Sequence, residues 1–283
     1  ITPRLQLKEG SEVKAGDAIF ADKDRPEIKF CSPVSGEIAE IKRGAKRKIL
    51  EIVILADKET RFADFGKASP ADLSKEQITE KLLASGAWTL LIERPFGVVA
   101  NPKHTFKNTF ITGIQSSPLS ADVNLQVSGE GKNLQTGIDA LAKLSEGKVY
   151  LSLDADNTPA DELKSAKGVE INYFSGPHPK GNPGVQMHQL SPLNKGESAL
   201  TLKVEDVIIL GRLFNEGKLD MTRTIALAGS EVNAPKHFKA VAGVNLEEFL
   251  KAETNGGHNR FISGNVLTGT KIELNSFLGF YDT

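Results

Sequence analysis

Few residues in this chain could do chemistry: one cysteine, five histidines and some closely spaced glycines. Cys31 alone cannot close an intrachain disulfide. An iron–sulfur cluster or a structural zinc needs about four ligands, so neither is expected here. His178 and His188 lie ten residues apart with no third ligand in the pattern, too loose a spacing for a metal site. No Ser-His-Asp or Cys-His arrangement, His-Glu-x-x-His or phosphate loop supports stand-alone hydrolase or kinase chemistry. Gly129, Gly131 and Gly137 come closest to a dinucleotide fingerprint, in which glycines let the backbone approach a pyrophosphate at a helix N-terminus. The third glycine is misplaced and an acidic pair to a ribose is not evident at the expected offset of about 20 residues, so a tight turn into a helix is the better reading.

The elements that must position these residues follow from hydrophobic periodicity. From residue 1 to about 56, apolar and polar positions alternate between Gly and Pro turns, as in Glu37-Ile38-Ala39-Glu40-Ile41, which predicts short β-strands. The series Gly10-x-x-Val13-x-x-Gly16-Asp17-x-Ile19 followed by Ser32-Pro33-Val34-x-Gly36-x-Ile38 resembles the barrel-sandwich hammerhead of biotinyl and lipoyl carrier domains. Lys23 is the only candidate for a carrier lysine, but it falls too early after Ile19, so an ordinary charged hairpin is expected. Residues 57–87 read as a linker followed by a helix with a start signal at Ser69-Pro70-Ala71-Asp72.

Over residues 88–214 predicted strands (Trp88 to Ile92, Thr109 to Ile114, Val149 to Leu153, Val169 to Phe174) alternate with helical patterns, ending in a helix from Leu202 to Leu213. This indicates a mostly parallel, Rossmann-like α/β domain. Residues 215–283 change character, with strands at Arg223 to Ala228 and Arg260 to Ile262, a short helix at Asn245 to Lys251, and frequent glycines. A small sheet crossed by one helix, a β-grasp of the SLBB-like kind, fits that pattern.

Composition sets outer bounds. The 283 residues favour two or three domains, and 39% hydrophobic residues with 14 Phe can fill several cores. A net charge of −1 gives no whole-chain attraction to nucleic acid or to an anionic bilayer, and no nucleic-acid partner is expected. Apolar runs such as Val207 to Leu210 are far shorter than the ~18–20 residues of a membrane span, so a soluble or peripheral protein is expected. Lys42, Arg43, Lys46, Arg47 and Lys48 put five cations into seven residues, which suits a solvated turn or a docking patch for an acidic partner or lipid headgroups. The chain opens at Ile1 and stops at Thr283 without a closing element, as expected of a piece of something longer.

Several segments in order along the chain resemble the A subunit family of the bacterial Na⁺-translocating NADH:quinone oxidoreductase. They are Lys42-Arg43-Gly44-Ala45-Lys46-Arg47, Ser85-Gly86-Ala87-Trp88-Thr89 with Arg94-Pro95-Phe96, and Glu146-Gly147-Lys148-Val149-Tyr150. Gly176-Pro177-His178-Pro179-x-Gly181, Leu227-Ala228-Gly229 and Ile262 to Thr270 follow. The resemblance implies a peripheral subunit on the cytoplasmic side of the bacterial inner membrane. Its partners would be the other subunits of the complex, chiefly the membrane-embedded B subunit. It would be associated with ubiquinone or menaquinone and its reduction to quinol, which the complex couples to Na⁺ export. Flavins and Fe–S centres would sit in other subunits, with no cofactor bound by this chain, no metal, and no catalysis by this piece alone. The alternative implied is a structural docking subunit without its own substrate site.

A quinone site needs an apolar slot and donors on two carbonyl oxygens, where negative charge develops on reduction. On that premise Arg94, Phe96 and His104 would supply a cation, an aromatic wall and an imidazole near the end of the first strand, where ligands of open α/β sheets sit. The Gly- and Pro-stiffened loop from Gly176 to Gly184 would present His178 or Lys180 to a ligand or a neighbouring protein. Arg43, Lys46, Arg47 and Lys180 are the expected interface cations. The catalytic residues are not identified.

Overall fold

The computed structural model describes all 283 residues. The first module has six short strands: β1 (Pro3–Leu5), β2 (Glu12–Val13), β3 (Ala18–Asp22), β4 (Lys29–Cys31), β5 (Gly36–Arg43) and β6 (Ile49–Ala56). They form two three-stranded antiparallel sheets, ordered β1-β3-β4 and β2-β5-β6. Val13, Ile19 and Ile38 fill the space between them, as the strand alternation requires. Lys23 lies exposed in the β3–β4 hairpin, and neighbouring Arg25 donates to the Val99 carbonyl at 3.2 Å, anchoring the hairpin on the next domain.

The second module begins with α1 (Lys75–Ser85), where Ser74 and Gln77 form a capping box. The helix therefore starts after the Ser69–Asp72 signal, which forms a separate turn of 3₁₀ helix, Pro70–Asp72. Ile78 and Leu82 enter the main core, so α1 packs on the α/β domain. Trp88, expected in a strand, lies in a buried 3₁₀ turn, Ala87–Leu90, with its indole N–H bonded to the Ala100 carbonyl. The strand starts later, as β7 (Ile92–Arg94), and turns back as β8 (Val98–Val99).

The succession continues with β9 (Thr109–Gly113), α2 (Val123–Val127), α3 (Gly131–Leu141), β10 (Val149–Asp154), α4 (Asp161–Lys164), β11 (Glu170–Phe174), α5 (Pro183–Leu190), β12 (Ala199–Lys203) and α6 (Val204–Glu216). The six-stranded sheet has the order β11-β10-β9-β12-β7-β8, parallel from β11 to β12 and antiparallel at β7 and β8. β12, a central strand, replaces the start of the helix expected from Leu202. The apolar stretches of strand and helix join without a turn residue, which hides the boundary.

Helices α3 and α6 cross at closest approach at two glycines. A side chain at Gly137 would collide with the Val207 carbonyl, and one at Gly211 with the Asn133 carbonyl. Gly137 thus serves helix packing, not a nucleotide. The last module holds β13 (Thr222–Leu227), β14 (Lys236–Val241), α7 (Glu247–Glu253), β15 (Phe261–Ser263) and β16 (Thr270–Ile272). Two hairpins, β13–β14 and β15–β16, and α7 enclose a small core of Ile225, Ala240, Leu246, Leu250 and Leu278. The chain then returns to the α/β domain, where the Tyr281 hydroxyl donates to the Thr89 carbonyl at 2.8 Å. No helix is long and apolar enough to cross a membrane.

Candidate functional site

The parallel strands fix which edge of the sheet can receive a ligand. The chain moves from β9 through β10 to β11 on one side and returns to β12 on the other, so the loops after β9 and β12 diverge and leave a crevice at their C-terminal ends. The last module lies over that crevice. A cavity of about 530 Å³ opens there, lined mostly by the β-grasp, with Ala228, Arg260 and Val266 among its walls and part of the module's own core behind them, and bounded on the α/β side by Gln115, Leu119 and Lys203. Half of its lining residues are hydrophobic, the usual make-up of a small-molecule site.

The cavity's charges cancel: Lys203 and Arg260 stand against Glu231 and Asp282. Lys203 Nζ donates to the Tyr281 carbonyl at 2.9 Å, whereas Arg260 is exposed and makes no ion pair. A pyrophosphate finds no cradle in the turn after β9. Asp122 caps the N-terminus of α2, accepting from Asn124 N at 2.8 Å, so a carboxylate stands where a phosphate would need bare amides. That turn therefore offers no bare-amide cradle to a pyrophosphate.

Beneath the cleft, at the first turn of α6, lies a buried ionic cluster. The Arg223 side chain is 0% exposed and its Nη2 faces Asp206 Oδ1 at 3.0 Å. Glu205 Oε1 accepts from Thr224 N at 2.8 Å, while its Oε2 has no partner. Burial pushes the Glu205 carboxyl up to about 7, against the pull of Arg223. Burial likewise pushes Tyr281 up to about 12. This cluster ties α6 of the α/β domain to β13 of the β-grasp and holds the two walls of the cleft together.

The expected site residues fall into three places. Arg94 and Phe96 lie on the β7–β8 hairpin and His104 pairs with Glu93 of the same strand, at the opposite edge of the sheet. β7 runs antiparallel to β12, with Arg94 paired to Ala199 at the start of β12, so the end of β7 lies at the N-terminal edge of the parallel strands. The premise that Arg94 stands where ligands of open sheets bind is thereby corrected. There His104 Nδ1 pairs with Glu93 Oε1 at 2.7 Å and its Nε2 with Asn101 Nδ2 at 3.1 Å, so both ring nitrogens are taken by the protein. Phe96, expected as a wall, is 81% exposed at the hairpin tip.

His178 does lie at the C-terminal edge, its Nδ1 3.0 Å from Ser116 Oγ, which itself accepts from Gly181 N. Lys180, expected as a docking cation, points inward: its side chain is 11% exposed and its Nζ lies 2.6 Å from both Asp154 and Asp156. Arg43, Lys46 and Arg47 are exposed on the β5–β6 turn of the first module, where Arg43 bonds the Arg47 carbonyl. The sequence did not single out Gln115, Leu119 and Lys203. A strand ending at Lys203, with Glu205 and Asp206 as first-turn acids of the next helix, was the signal that could have found the crevice.

Comparison with known proteins covers the same three modules. The family described as the NqrA N-terminal barrel-sandwich hybrid domain matches residues 1–57, the NqrA second alpha/beta domain residues 73–219, and the NQRA C-terminal domain residues 224–273. The A subunit of the Na(+)-translocating NADH-quinone reductase of Vibrio vulnificus is 38% identical over 282 residues, covering 99% of this chain and 63% of the relative. Its counterpart in Pseudomonas aeruginosa is 37% identical over 283 residues, covering 99% and 62%. The chain therefore spans less than two thirds of the length of these curated relatives. Among solved structures, the NAD+-reducing [NiFe]-hydrogenase in its air-oxidized state shares the fold, with a TM-score of 0.53 at 15% identity over 77% of this chain and 46% of the other.

Proposed function

The chain belongs to the A subunit family of the Na⁺-translocating NADH-quinone reductase, and from that premise we propose that it is a peripheral component of such a complex whose cleft receives the quinone ring. The complex would reduce the quinone to quinol and couple that step to Na⁺ export. Partner subunits, chiefly the membrane-embedded B subunit, would carry the flavins and Fe–S centres and hold this chain on the cytoplasmic side. The observation that carries the reading is the half-apolar cavity of about 530 Å³ at the β9–β12 switch point, whose charges sum to zero. A neutral, planar, oxygen-bearing ligand suits such walls, with Arg260 as a cationic donor toward a carbonyl oxygen.

Calorimetric titration with a short-tail ubiquinone tests this. Saturable binding is expected, together with its loss in Ala228→Phe, where the ring fills the cavity. No saturable binding, or binding untouched by Ala228→Phe, would overturn it.

A second reading, a docking subunit without its own substrate, is favoured by one feature. The β7–β8 hairpin exposes Phe96 at 81% and Val98 at 47%, a tip shaped for contact with another protein of the complex.

A further inference from the structure

The motif from Ile262 to Thr270 shows what it builds once folded. Asn265 Oδ1 accepts from Leu267 N at 2.9 Å and Thr268 N at 3.0 Å, and the Asn265 carbonyl accepts from Gly269 N at 2.8 Å. Ser263 Oγ donates to Asp282 at 2.6 Å and accepts from Gly279 N at 2.9 Å. All these polar groups bind the turn to itself and to the chain beneath it. What the turn presents outward is apolar: Val266 is 51% exposed and Leu267 54%. Across the opening, Leu119 is 59% exposed and holds φ at 61°, a left-handed conformation that leucine rarely adopts. Leu119 and Val266 both line the cavity, so the exposed rim is continuous with it.

We propose that Leu119, Val266 and Leu267 form a gateway that grips the polyisoprenoid tail of the quinone where it leaves the cavity. This rests on the reading of the cleft as the ring site. A cavity of about 530 Å³ takes the ring and the first isoprene units, so a longer tail must pass its mouth. A bilayer surface would call for a cationic collar. Here Arg260 and Lys203 are matched by Glu231 and Asp282, and a neutral hydrocarbon chain fits better.

The test is calorimetry on the full chain with two probes, the ubiquinone ring without a side chain and the same ring bearing four isoprene units. Both are titrated into wild type, into the triple variant Leu119→Ser, Val266→Ser, Leu267→Ser, and into Leu267→Ser alone. Wild type should bind the tailed probe about tenfold tighter or better from added apolar contact. The triple variant should lose that increment, and Leu267→Ser alone, which lies outside the cavity lining, should lose part of it while keeping its affinity for the bare ring. An increment that survives in the triple variant, or is absent in wild type, overturns the gateway while leaving the ring site intact. A bare ring that fails to bind wild type overturns the ring site, and the gateway with it. Loss of bare-ring binding in Leu267→Ser overturns the division between ring and tail. Rim-dependent binding of wild type to phosphatidylcholine vesicles would assign the rim to the bilayer and overturn the gateway too.

Discussion

The two edges of the six-stranded sheet carry similar residues and put them to different use. The N-terminal edge has a histidine, an arginine and an exposed phenylalanine, and the C-terminal edge has a histidine, lysines, an arginine and exposed aliphatic residues. At the N-terminal edge the chain turns back on itself through β7 and β8. Local pairing uses up Glu93 and His104, Glu93 taking His104 on one oxygen and Asn101 N on the other, while Arg94 Nε stays buried without a partner. At the C-terminal edge the loops diverge, a second module closes over them, and Arg260 is left without a partner beside a cavity. Residue type alone does not make a site; the direction in which the chain leaves a strand decides whether a polar group faces a ligand or its own neighbours.

The contrast breaks first where each edge is held together. Arg223→Ala strips the buried Asp206 and Glu205 of their buried cation, and removing one partner of a buried pair costs about 3–5 kcal/mol. Urea unfolding should show that loss, and hydrogen exchange should place it in residues 222–278. Glu93→Ala at the other edge leaves a half-exposed imidazole and one amide, for a cost of about 1–3 kcal/mol. Equal costs would mean that the cleft edge is not specially held.

The same cluster predicts a pH dependence. Glu205 titrates at about 7 in the fold against an ordinary 4.5, so between those values the folded chain holds a proton that the unfolded chain has lost. The stabilisation is complete below about 4.5 and disappears as pH rises through about 7, up to about 3 kcal/mol for the full shift. Melting temperatures measured from pH 5 to 8 should fall with this profile in wild type. Glu205→Gln, which keeps an oxygen for Thr224 N, should flatten it.

The three modules were legible because each rests on a repeating pattern: strand alternation to Leu55, strands in turn with helices to Phe214, and glycine-punctuated hairpins beyond. What escaped depended on partners distant in sequence. Nothing in Trp88 to Ile92 tells a strand from a 3₁₀ turn, because the decision lies with the Ala100 carbonyl that takes the indole N–H. β12 was concealed because its apolar run flows into α6, and without β12 the switch point and its crevice could not be located. Arg94 reaches the ligand edge only if its strand is parallel, and its antiparallel register against β12 is a property of the sheet, not of the local residues. Lys180 reads as an exposed cation among prolines and glycines until Asp154 and Asp156 close around it.

The smallest effect sharpens the comparison most directly. A charged donor on a carbonyl oxygen is worth about 1.5–3 kcal/mol when shielded and less when exposed, as Arg260 is. Arg260→Ala should therefore weaken short-tail ubiquinone binding about tenfold, equivalent to about 1.4 kcal/mol. Arg94→Ala should change it by less than about twofold, since Arg94 stands at the far edge of the sheet. Calorimetry on the two variants side by side decides the matter. If Arg94→Ala proves the more damaging, the ring sits against the β7–β8 hairpin, Phe96 becomes its wall, and the cleft under the β-grasp is left without this ligand. If Arg260→Ala dominates, the exposed Phe96 tip is free for a partner protein of the complex, and docking and quinone binding belong to opposite edges of one sheet.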